Sequence, residues 1–182
     1  MESEFAKFDH RGFSIEYPID WVDVTRKATR FRPLPIVAYG HRNKREGFLG
    51  AILDSVSWRL DAEFAILPLP LKQVTAKIRS EPKSDPGEII FDYILNHFKL
   101  SKTNVEVLGK QKEVLGGRKS YHLTVNASGR QYEFRLVLVS KEVGVVLRHV
   151  APLKTVGEFK QIFERIVRSF KMKGEVVGDH SR

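Results

Sequence analysis

The sequence contains no cysteine. Disulfides, thiolate nucleophiles, thiolate zinc sites, iron–sulfur clusters and lipid attachment through sulfur are thereby excluded, and a metal would have only His, Asp and Glu to hold it. Long hydrophobic runs are missing as well. The greasiest stretch, RLVLVSKEVGVVLRHV from Arg135 to Val150, is cut by charges every few residues, where a membrane helix needs roughly 18 apolar residues in a row. With Met1 taken as the start, MESEFAKFDHR opens on acids and lacks the apolar centre of a signal peptide, so a cytoplasmic protein is expected. There is no internal repeat, no low-complexity tract and no linker rich in Gly, Ser or Pro. The 182 residues therefore read as one domain over 1–173 with a frayed tail over 174–182.

Catalytic signatures are equally scarce. GxGxxG, GxSxG and HExxH do not occur. LGGRKS, from Leu115 to Ser120, ends somewhat like a phosphate loop, but Arg118 separates the glycines from Lys119 and a strand follows where a helix should open. A hairpin turn is the better reading. The chain is accordingly read as non-enzymatic, with no cofactor.

One further absence is local. Net charge is +9, and between Arg26 and Arg45 lie seven basic residues (Arg26, Lys27, Arg30, Arg32, Arg42, Lys44 and Arg45) without a single acid. The remainder holds 24 basic and 22 acidic residues, close to balance. The excess thus sits in one segment, which suits an acidic protein partner. Nucleic acid or an anionic surface is the alternative, since Phe31, Tyr39 and His41 are interleaved there for stacking.

What is present is periodicity. Phe13, Ile15 and Tyr17 alternate with Ser14 and Glu16 as in a strand; Pro18 ends the pairing, and Trp21 is placed to fold back over the apolar face. Strands are expected near 36–39 and 48–57. Pro68 and Pro70 argue against regular structure in their neighbourhood, and LKQVTAKI suits strand or helix equally. Asp85, Pro86 and Glu88 have the form of a helix cap ahead of Ile90, Tyr93, Ile94 and Phe98. A meander follows over about 119–126, 130–139 and 143–150, its turns marked by glycines and polar residues. Finally Thr155 and Glu158 form a second capping box, and Phe159, Ile162, Phe163, Ile166, Val167 and Phe170 recur at helical spacing.

The motifs GFSIEYPIDW, LGGRKSYHL and VVLRHVAPLKTVGEFKQIFERIVRSFK, in that order and separation, resemble the PsbP-like family. The resemblance spans most of the chain, from Phe5 to Met172. It implies an α+β fold, an α/β/α sandwich with a central antiparallel sheet and helices on both faces, shared with a nuclear-import factor that binds the Ran GTPase. It also implies action by binding other proteins as an accessory factor. The family has no catalytic signature to transfer.

A third option is a small-molecule carrier or enzyme with a pocket beside the meander. Its candidate lining is His122, Thr124, Glu133, Arg135 and Arg148, residues placed to form a cross-strand polar network. His122 and His149 flank the middle strand of the meander, roughly 10 Å apart, too far to share one ion, so no metal site is expected.

Overall fold

The computed structural model describes residues 4–25, 35–41, 60–81, 85–99, 104–139 and 143–173. The elements run β1 (Phe5–Asp9), β2 (Phe13–Pro18), β3 (Val22–Asp23), β4 (Val37–His41), β5 (Ala62–Pro70), α1 (Lys72–Ser80) and α2 (Pro86–Lys99). They continue with β6 (Glu106–Leu115), β7 (Arg118–Ala127), β8 (Arg130–Leu138), β9 (Val143–Pro152), α3 (Val156–Ser169) and β10 (Lys171–Met172). The strand expected at 48–57, the basic residues from Arg26 to Arg32 and Arg42 to Arg45, Phe31, and the tail from 174 lie outside the described residues.

Turn chemistry builds the second half of the chain. Gly116 and Gly117, at φ +58° and +78°, reverse β6 into β7, and Ser128 and Gly129 reverse β7 into β8 at +51° and +75°. Gly116 is doubly constrained. A Cβ there would sit 3.2 Å from the backbone nitrogen of Met172 and 3.2 Å from the Phe170 ring. Gly116→Ala should therefore cost about 1–2 kcal/mol in urea unfolding, from the left-handed backbone plus the close contact. Gly117, whose added Cβ would meet nothing, provides the comparison that isolates the contact.

Among the described residues all pairings are antiparallel, in a seven-stranded sheet of order β3-β4-β5-β9-β8-β7-β6 and a three-stranded sheet of order β1-β2-β10. Side chains alternate across the large sheet and fill two separate cores. On one face, Phe64, Ile66, Val137 and Leu147 meet Phe159, Phe163 and Ile166 of α3 together with Phe13 and Ile15 of β2. On the other, Leu123, Val125, Phe134 and Leu136 meet Val74 of α1 and Ile90, Phe91 and Leu95 of α2. Helices thus cover both faces, the layered arrangement that the resemblance implies. Trp21 is buried and meets Phe159 and Phe163 edge-on at 6.2 and 6.0 Å, where the sequence placed it.

Several local expectations are corrected. Pro68 and Pro70 lie within a regular strand, β5, where among the described residues it has a neighbour on only one side. β9 pairs along β5 from Glu63 to Pro70, whereas β4 pairs only as far as Ile66. Ile36 N–H donates to Ile66 O, so Ile66, and by alternation Pro68 and Pro70, direct their backbone groups to the β4 side. There, beyond Ile66, β5 has no pairing partner among the described residues, and the missing N–H groups cost nothing. The segment open to either reading is the helix α1. Thr155 makes no side-chain cap to α3; its hydroxyl is buried without a partner, and only the backbone bond from Glu158 N–H to Thr155 O forms. Asp85 does cap α2, accepting from Gly87 N–H at 2.8 Å, while Glu88 leaves the cap for Lys110 on β6 at 2.7 Å.

Candidate functional site

Strand parity decides which polar side chains of the meander meet. Thr124 faces Glu133, Glu133 faces His149, and His122 faces Arg135 in register, so these five side chains share the sheet face that α3 partly covers. Arg148 faces Phe134 and Ala65, which puts it on the opposite face. There it is buried and pairs with Glu63 of β5. The expected pocket set is thus split: His122, Thr124, Glu133 and Arg135 come together, and Arg148 does not join them. His149, one residue along, takes that place. The alternation of β9 alone distinguishes the two.

Glu133 is the hub of this cluster. Its Oε2 lies 3.4 Å from His122 Nε2, 3.6 Å from Arg135 Nη2 and 4.0 Å from His149 Nδ1. Gln131 Nε2 donates to the other carboxylate oxygen at 3.2 Å, Thr124 Oγ1 lies 3.2 Å from His122 Nε2, and Arg135 Nε lies 3.5 Å from Glu113 of β6. Burial by itself would raise the Glu133 carboxyl, but the two histidines outweigh it and hold it well below the ordinary carboxylate range. Burial pushes His149 the other way, below the usual imidazole range, against the pull of Glu133. The His149 ring is 1% exposed, stacks on Phe163 at 4.5 Å and meets Phe64 at 5.3 Å.

Chemically, the carboxylate at its centre is neutralised by its neighbours, whereas both ring nitrogens of His149 are buried without a hydrogen-bond partner among the described residues. A general base works best with a pKa near the operating pH, and Glu133 is held far below it with each oxygen engaged. Among the described residues no group of three or more His, Asp or Glu side chains has a geometry that could hold a metal ion.

The basic segment is visible only at its middle. Tyr39 is buried and stacks on Tyr17 of β2 at 3.9 Å, and burial pushes its hydroxyl upward. His41 packs 5.1 Å from Phe159. Tyr39 is therefore a core residue and no stacking platform for a base.

A second basic feature arises where α3 meets the small sheet. A cleft of about 370 Å³ opens there, with Lys7, Arg165, Arg168 and Lys171 around it and Glu16 as the single acid among the described lining residues. Sequence reasoning missed it because the residues come from four elements, β1, β2, α3 and β10. The pairing of β10 to β2, together with the packing of α3 on β2, brings these elements together.

No described helix is long and apolar enough to cross a membrane. No protein-family model matches the chain, and no curated protein matches it by sequence. Solved structures do match. The Ran-binding protein Mog1p of Saccharomyces cerevisiae superposes with a TM-score of 0.56 at 14% identity, over 93% of this chain and 95% of that one. The cyanobacterial PsbP of Synechocystis gives a TM-score of 0.56 at 11% identity, over 95% of each chain. LpqN, involved in cell envelope biogenesis in Mycobacterium tuberculosis, gives 0.56 at 13% identity, over 93% of this chain and 92% of that one. At such identities the likeness is one of architecture, and the architecture is that of PsbP and Mog1p.

Proposed function

We propose that the chain is a non-catalytic binding module that engages an acidic protein partner through a basic surface. The observation that carries this is the run from Arg26 to Arg45, seven cations and no acid in a chain otherwise near balance. Two features of the structure support it. Among the described residues, the carboxylate at the centre of the cluster that most resembles an active site, Glu133, has both oxygens engaged by neighbouring side chains, and a structural neighbour covering nearly the whole chain is a protein-binding protein by description. The burial of Tyr39 removes one of the three aromatics that favoured nucleic acid.

The test is affinity capture from native cells with the wild type and with the triple variant Arg42→Glu, Lys44→Glu, Arg45→Glu. Reversing three charges should lower recovery of acidic partners more than about tenfold, since complementary charge governs encounter and register. Equal recovery would reject this surface. A salt-dependent gel shift with DNA, lost in the same variant, would move the reading to nucleic acid.

A further inference from the structure

The cleft between α3 and the small sheet has a charge imbalance that the packing does not require. The fold fixes where the backbones that carry its cations stand. Lys171 is fixed by strand pairing opposite Ser14, and Lys7 stands opposite Glu16 across β1 and β2. Arg165 and Arg168 are three apart on α3 and so share one face. The Arg165 guanidinium lies 3.8 Å over the Phe5 ring, and its Nε is 3.9 Å from Glu16. Ser169 Oγ accepts from Glu16 N–H at 2.8 Å and donates to Ile166 O at 2.7 Å, tying the end of α3 to β2 and setting the width of the gap.

These cations are weakly committed. Lys7 pairs with Asp9 at 3.1 Å and Arg168 with Glu164 at 3.5 Å, both on the surface, where such pairs contribute little. Lys171 has no ion-pair partner among the described residues. An incoming anion therefore displaces little. The positive groups come from three elements spread along an open trough, and two of them are guanidiniums with forked donors suited to carboxylates. That layout fits several carboxylates on an extended chain better than one compact anion. Building on the reading of an acidic protein partner, we infer that this cleft docks the acidic side chains of a peptide segment of that partner.

The experiment is a fluorescence-polarisation titration of the full chain with a labelled oligoglutamate peptide, at low and at physiological salt. The variant Arg168→Glu with Lys171→Glu should bind at least about tenfold more weakly. A charge-matched control, Lys119→Glu with Lys154→Glu, alters two exposed lysines away from the cleft and should lose far less. Glu16→Gln removes the one acid and should tighten binding about twofold. Circular dichroism checks that each variant is folded. Equal weakening in the cleft and control variants, or no gain in Glu16→Gln, would overturn the inference. If only the triple variant at Arg42, Lys44 and Arg45 loses the peptide, the cleft is rejected and the acidic-partner reading stands. If the wild type does not bind the peptide, both fall. Displacement by inorganic phosphate more readily than by free peptide would overturn the assignment to carboxylates.

Discussion

Phe163→Ala should destabilise the fold by about 3–5 kcal/mol, the cost of deleting a buried aromatic ring from a packed core. Phe163 is buried where three parts of the chain converge. It stacks on His149 of β9, receives the edge of Trp21 from the corner after β2, and touches Phe159 one turn back on α3 at 6.2 Å. Its removal leaves a void between α3 and the sheet that neither neighbour can fill without leaving its own contacts. Against a typical domain stability of about 5–15 kcal/mol, the shift in the urea midpoint should be plain. Ile162→Ala, at a half-buried position on the same helix, should cost clearly less. Similar losses for the two would mean that α3 is not seated through Phe163.

Acid should weaken the protein in two stages, the first belonging to His149. Burial holds this imidazole below its ordinary range, so the folded chain keeps it neutral while the unfolded chain takes up a proton near pH 6.5. Its contribution is complete above that pH and shrinks as the pH falls below it. Over that range the loss from one such proton cannot exceed about 1.4 kcal/mol per pH unit. Glu133 adds the second stage. Its carboxyl is held below the ordinary value, so the stability it contributes is present above about pH 4.5 and is lost on further acidification. Urea unfolding of the wild type and of His149→Leu at pH 7.5 and 5.0 separates the stages. The variant loses ring stacking at every pH, but its loss on acidification should be less than about half that of the wild type. Parallel losses would show that His149 does not govern the first stage.

How much of this was legible in the sequence depends on how local the cause is. The apolar stripe of α3 and the glycine turns of the meander are set by neighbouring residues, and those elements lie where periodicity put them. The capping of α3 looked equally local, yet Thr155 gives no side-chain bond. Glu88, expected at a cap, is drawn away by Lys110, a residue distant in sequence. The prolines of β5 misled because their effect depends on where β4 stops. The Glu133 cluster was nearly legible: pairing the strands of the meander selects four of its members, and counting parity along β9 exchanges Arg148 for His149. The cleft was not legible at all, since no pattern within Phe5–Asp9 or Lys171–Met172 announces that β1 and β10 flank β2.

The prolines near the end of β5 carry a consequence for behaviour in concentrated solution. A strand margin with free donors invites the margin of another molecule, and growth by such contacts ends in fibres. Along 67–70 that invitation is withdrawn, because alternate positions facing outward have no hydrogen to offer. Whenever this stretch stands uncovered during folding, it is therefore a poor seed for self-association.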